Sequence, residues 1–156
     1  MGVRDTDRRV LALAMARMAD AIGNSFLIIV LPGYVASGRV DAGALVGTRL
    51  PVVGEITVPL LIGVVLSLFG LLNSVGQPFT GRLSDRTGRR KLFILVGLAA
   101  FGVSSGLYPF VESYGAVVAI RAAQGVGAAF TIPSTIALVN EYSTANSERG
   151  GDFGVF

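Results

Sequence analysis

The stretch Gly81-Arg82-Leu83-Ser84-Asp85-Arg86-Thr87-Gly88-Arg89-Arg90-Lys91 lies between two long apolar runs. Cations packed this densely beside apolar runs are the usual mark of a cytoplasmic connection between membrane spans. Glycines at 81 and 88 and the lone acid Asp85 are more than a charge barrier needs. Gly81 lets a helix end approach a neighbour, and Gly88 is free to take positive φ and turn the chain. Asp85 is placed to accept hydrogen bonds from a helix N-terminus or from nearby arginines.

The composition agrees with lipid as the solvent. The chain has 156 residues, 52% hydrophobic and 15% charged, where a soluble domain carries about 25% charged residues. The charges cluster at the amino terminus, at 82–91 and at 141–152. There is no cysteine and no histidine. That removes disulfides, thiolate metal sites, cysteine nucleophiles and histidine triads. Proton chemistry must therefore use carboxylates, and neither a cofactor nor a metal site is expected. The net charge of +3 does not imply nucleic acid, because the cations flank apolar spans. The first apolar run is too long, and too interrupted by charge, for a cleavable signal peptide.

Working outward from the basic stretch, four spans are predicted, at 10–34, 59–79, 91–110 and 116–139. Each meets the ~20 residues needed to cross about 30 Å of hydrocarbon. The fold class is an all-α membrane protein, a polytopic helical bundle in a single transmembrane domain. Pro59 opens the second span, Pro109 closes the third, and Pro133 predicts a kink in the fourth. The connection 36–58 is glycine-rich, and its 44–53 part is apolar enough to lie at the membrane interface. Arg4, Arg8, Arg9, Arg82, Arg86, Arg89, Arg90, Lys91 and Arg149 fall on one side if the spans alternate, against Arg39 and Arg49 on the other. The amino terminus is therefore predicted to be cytoplasmic. Residues 147–156 read as a loop entering a further apolar segment, with a fifth span starting near 153–156. The chain is thus expected to be a fragment of something longer.

The basic stretch resembles the signature loop of the major facilitator superfamily, Gly-x-Leu-(Ala/Ser)-Asp-Arg-x-Gly-Arg-Arg-(Lys/Arg), which joins that family's second and third helices. Arg121-Ala122-Ala123-Gln124-Gly125-Val126-Gly127-Ala128-Ala129 resembles the Arg-x-x-Gln-Gly-x-Gly-x-Ala motif of proton-coupled members, drug:proton antiporters above all. Asp20, Gly23 and Leu31-Pro32 look like the loose first-helix pattern, and Glu148-Arg149-Gly150 with Phe153-Gly154 resembles the entry to helix five. The resemblance covers the whole chain, but only about four of the usual twelve helices. It implies the amino-terminal six-helix half of the major facilitator fold, with the loop residues Gly81, Asp85, Arg86, Gly88, Arg89 and Arg90 latching the two halves on the cytoplasmic side.

Polar residues inside spans mark the candidate site. Arg17, Asp20 and Asn24 share one face of span one, and Arg121, Gln124, Thr131 and Thr135 one face of span four. A charge at the bilayer centre costs about 2.5–3.5 kcal/mol or more, so these faces are expected to point at protein or water. At ~1.5 Å per residue, Asp20 lies about 15 Å deep and Arg121 about 8 Å. Asp20 is expected to bind a proton or cationic substrate, with Arg121 tuning it across a cavity that Asn24 and Gln124 help to line. The alternative is a structural ion pair of Asp20 with Arg17, three residues before it. Small-xxx-small spacings, Gly63 with Ser67, Gly70 with Ser74 and Gly125 with Ala129, predict close helix partners.

The expected function is therefore secondary active transport of a small solute by alternating access at a cell (plasma or inner) membrane. Proton-coupled efflux of a drug or metabolite comes first. An uptake permease for a sugar or organic acid is the alternative, and a self-contained four-helix oligomer a further one. A membrane enzyme is not expected, because no nucleophile motif, metal-spaced carboxylates or phosphate loop is present. The expected partners are the solute, protons, the bilayer and the missing C-terminal helices, without which the chain is expected to transport nothing.

Overall fold

A computed structural model describes residues 8–43, 45–52 and 54–144, apart from the side chains at 8, 9, 20, 143 and 144. Helix α1 spans Arg8–Ala36, α2 Val58–Thr87, α3 Arg90–Leu107 and α4 Tyr114–Thr144. All four are long and apolar enough to cross a membrane. The fold is all-α and polytopic. A 3-10 turn, Tyr108–Phe110, closes α3 around Pro109. The expected start of a fifth span, at 153–156, lies outside the described residues.

The basic stretch is more helical than a loop. Helix α2 runs through it to Thr87, because nothing between 79 and 87 breaks a helix. Gly88 ends it at φ 63°, the left-handed region that glycine favours, and its N–H donates to the Ser84 carbonyl at 3.0 Å. Only Gly88 and Arg89 separate α2 from α3. At its other end α2 is capped by Thr57, whose Oγ1 accepts from the Leu60 N–H at 3.4 Å.

Helix α4 is the hub, held by small residues. A Cβ on Gly125 would stand 2.8 Å from the Phe69 carbonyl of α2, and one on Gly127 would stand 2.8 Å from the Gly97 carbonyl of α3. Such approaches are open only to glycine. Gly63 and Gly70 behave differently from the expectation, since no atom of another described helix lies within 4 Å of where their Cβ would be. Their stripe points away from the described helices, while the α4 stripe supplies the contact.

Pro133 lies inside α4 without ending it. It has no N–H, so the Ala129 carbonyl four residues earlier loses its helical partner. The Thr80 hydroxyl of α2 donates to that oxygen. A Cβ on Gly76, one turn before Thr80, would stand 2.7 Å from the Ala129 methyl. One turn beyond Thr80, buried Ser84 and Ser134 hydrogen-bond at 3.1 Å. A proline in a lipid-embedded helix is tolerated when a neighbour satisfies the freed group, and here α2 does so.

Opposite the basic end, the connection 37–57 folds into a short hairpin, Arg49–Leu50 paired antiparallel with Gly54–Glu55. Its base packs Val40 and Ile56 into an apolar cluster with Leu31, Leu61, Tyr114 and Val117. The Tyr34 hydroxyl is shared between the Tyr108 and Val111 carbonyls, at 2.8 and 2.6 Å. The Asp41 N–H donates to Glu112 at 2.6 Å. This end of the bundle is clamped from α1 across to α3 and α4.

Candidate functional site in the span interior

Arg121 is 1% exposed and Gln124 fully buried, both on the inward face of α4. One nitrogen of the guanidinium, Nη1, donates to Gln124 Oε1 at 3.1 Å, and Nη2 donates to Asn24 Oδ1 of α1 at 3.2 Å. The Phe69 ring of α2 lies under the guanidinium carbon, 4.6 Å from its centroid, a cation–π contact. Gln124 is itself held from α3. Its Oε1 accepts from the Tyr108 hydroxyl at 3.2 Å, and its Nε2 donates to Ser105 Oγ at 2.9 Å. One arginine is thus positioned by all four helices.

These described partners are uncharged, and Arg121 Nε is buried with no hydrogen-bond partner among the described residues. Among the described residues, neutral acceptors and one ring hold the guanidinium in place. The structure brings Asn24, Arg121 and Gln124 together. The side chain of Asp20 lies outside the described residues, and with it both its pairing with Arg17 and its approach to Arg121. Asp20 does occupy α1 one turn from Asn24, about 6 Å along the axis. Between α1 and α4 on that side lies a cavity of about 370 Å³, lined by Arg17, Met18, Ala21 and Thr135 among others.

The sequence reading missed Phe69, Ser105 and Tyr108. Ser105 and Tyr108 lie one turn apart on a span with no acid, and that spacing was the available signal. Phe69 carried none, being one apolar residue in an apolar run. Thr131 and Thr135 are buried and bond to their own helix, at the Gly127 and Thr131 carbonyls. Asn73 and Gln77 pair with each other at 3.1 Å on α2.

At the basic end, Arg90 bridges two carboxylates, Asp85 of α2 at 3.2 Å and Glu141 of α4 at 3.3 Å. Its side chain is 18% exposed, far less than either acid. Gly81 faces the Pro133 ring. Arg86, Gly88 and Arg89 are exposed. The stretch therefore splits into an inward set, which ties three helices, and an outward set.

The family model of the Major Facilitator Superfamily matches residues 13–156. The chain belongs to the major facilitator superfamily. It is a member of a transporter family and not an enzyme. Among relatives of this superfamily, it is 27% identical to a probable vesicular acetylcholine transporter-B of Danio rerio over 98% of this chain and 30% of that protein. It is 44% identical to the multidrug efflux pump LfrA of Mycolicibacterium smegmatis over 88% of this chain and 24% of the pump. It is 42% identical to the puromycin resistance protein pur8 of Streptomyces alboniger over 49% of this chain and 15% of that protein. The chain thus spans less than a third of the length of these relatives. No solved structure matches it.

Proposed function

We propose that the chain forms the amino-terminal part of a secondary active transporter that exports a small drug-like or metabolite solute in exchange for protons. The observation that carries this reading is Arg121, a buried cation held between helices by neutral partners. A charge fixed so deep in the spans is costly unless it has work or a counter-charge. Asp20 supplies the counter-charge in this reading. With the carboxylate ionised, Arg121 stabilises it. Protonation releases that attraction, and the two helices are free to separate as the site changes sides. The relatives' functions, multidrug efflux and puromycin resistance, favour export over uptake for this chain.

In this reading the basic end is cytoplasmic, the amino terminus with it, in a cell membrane. Asp85, Arg86, Gly88, Arg89 and Arg90 lie there, and the exposed members latch onto the other half of the transporter, whose helices lie outside the described residues. Residues 1–156 alone transport nothing.

The test uses the intact transporter in proteoliposomes under an imposed pH gradient. Asp20→Asn and Arg121→Ala are expected to abolish gradient-driven transport. Arg121→Lys should retain a fraction, because it keeps the charge but not the two-armed donor geometry. Gradient-driven transport unchanged in Asp20→Asn would refute the proton role, while a loss confined to Arg121→Ala would leave Arg121 as a scaffold.

A further inference from the structure

We infer that the hairpin at 49–55 is a membrane-interface anchor, with its apolar tip seated at the headgroup boundary of the leaflet at that end of the spans. The inference does not depend on the transport reading. The hairpin is rooted firmly. The Gly47 N–H donates to the Ile56 carbonyl and the Ile56 N–H to the Thr48 carbonyl, both at 2.9 Å, while the Ile56 side chain is buried in the apolar cluster. Two-residue strands are too short to hold a hairpin unaided, so this rooting fixes where the tip goes.

The described part of the tip is apolar and open. Val52 is 94% exposed, and Leu50 is also open. No charged residue lies between Arg49 and Glu55 in the sequence. The strand edge does not explain this exposure, because Pro51 has no N–H and the strands are two residues long. What the tip offers is side-chain surface. The nearest apolar phase is lipid: Thr57 caps α2 directly after the hairpin, so the tip lies only a few residues from the end of a span. The outer half of α1 is also open and apolar, with Ile29 78% exposed. Arg49, 84% exposed and only loosely paired with Glu55 at 4.0 Å, completes the pattern. Its stem can cover apolar surface while the guanidinium meets lipid phosphates.

The test places a nitroxide on a single cysteine at Val52→Cys in the full transporter, with any cysteine beyond residue 156 replaced. Ser37→Cys, also exposed at that end, is the aqueous control. The protein is reconstituted in vesicles of phosphatidylcholine and phosphatidylglycerol. Collision with oxygen reports lipid, and collision with a water-soluble nickel chelate reports water. The label at 52 is expected to show a clearly higher oxygen-to-nickel collision ratio than the label at 37, because oxygen concentrates in hydrocarbon while the polar chelate stays in water. Nickel accessibility equal to that at 37 would overturn the inference in favour of a water-exposed tip. Shielding from both agents would overturn it in favour of a protein contact. The readout does not require transport, so an inactive transporter leaves it intact.

Discussion

Helices α1 and α4 are both about thirty residues long, and both read as spans of similar hydropathy, yet they are packed in opposite ways. Half of the most apolar window of α4 is buried, against 6% of that of α1. The difference lies in side-chain size. Helix α4 presents Gly125, Gly127, Ala128 and Ala129 to its neighbours, whereas α1 carries Met15, Met18, Ile22, Phe26 and Ile29 on its open face. In lipid, apolar surface gains little by leaving one hydrocarbon for another, so hydropathy selects the spans and small residues select the partners. Helix α1 is held by polar and terminal contacts instead, the Arg121–Asn24 bond in its middle and the Tyr34 clamp at its end.

The largest effect should come from filling the α3–α4 seam. A Cβ on Gly97 would collide with Thr131 Oγ1 and the Gly127 backbone. Gly97→Leu forces two helix backbones apart and is expected to cost at least about 3 kcal/mol, the upper part of the overpacking range. Thermal unfolding of the purified transporter reads it, as loss of the folded protein. Gly63→Leu, on the side of α2 that faces no other described helix, should stay within about 0.5 kcal/mol, as changes away from packed features do. Equal damage at Gly63 would break the comparison, since α2 would then have a second tight seam.

The α1 side should respond more gently and through polar groups. Tyr34→Phe removes the single hydroxyl that serves the Tyr108 and Val111 carbonyls. The ring packing against Tyr108, at 6.4 Å between centroids, remains. The Tyr108 carbonyl keeps the Val111 N–H at 3.2 Å, so only the Val111 carbonyl loses this donor, and the expected cost is about 1–1.5 kcal/mol. Hydrogen exchange should rise at the α1 end and in the hairpin more than in α4. A uniform rise through all four helices would mean that α1 is not a separately held element.

How much of this was legible in the sequence follows from the same contrast. The spans were legible because long apolar runs separated by charge have few alternatives. The Gly125–Ala129 stripe was legible as a contact, but the identical spacings at Gly63 and Gly70 were not distinguishable from it. Spacing shows that a close approach is possible and not which helix makes it. Arg121, Gln124 and Asn24 were legible because polar residues in lipid must turn inward. Tyr108 and Ser105 were not, since they act through Gln124 and look unremarkable on their own helix. Helix α2 ran beyond the expected span because apolar character ends at the membrane surface, while helical hydrogen bonding ends only at Gly88.

A small loss is expected where α4 tolerates Pro133. The Ala129 carbonyl has lost its helical donor, and Thr80 Oγ1 supplies the replacement from α2. The same hydroxyl also lies 3.1 Å from the Gly76 carbonyl and 3.3 Å from that of Gln77, on its own helix. It has one proton to give. If the proton goes to Ala129, Thr80→Val strands a buried acceptor at the α2–α4 seam. If it goes to Gly76 or Gln77, Thr80→Val removes only a back-bond that the helix does not need. Interhelical hydrogen bonds in membranes average about 0.6 kcal/mol, and a stranded carbonyl raises the expectation to about 1 kcal/mol. Thr80→Ser keeps the donor and should lose less than half of that. The deciding arm is Pro133→Ala, which restores the N–H to Ala129. In that background Thr80→Val should cost nearly nothing, because the carbonyl is already paired. A cost unchanged by Pro133→Ala would show that Thr80 packs at this seam rather than serving the proline-freed oxygen.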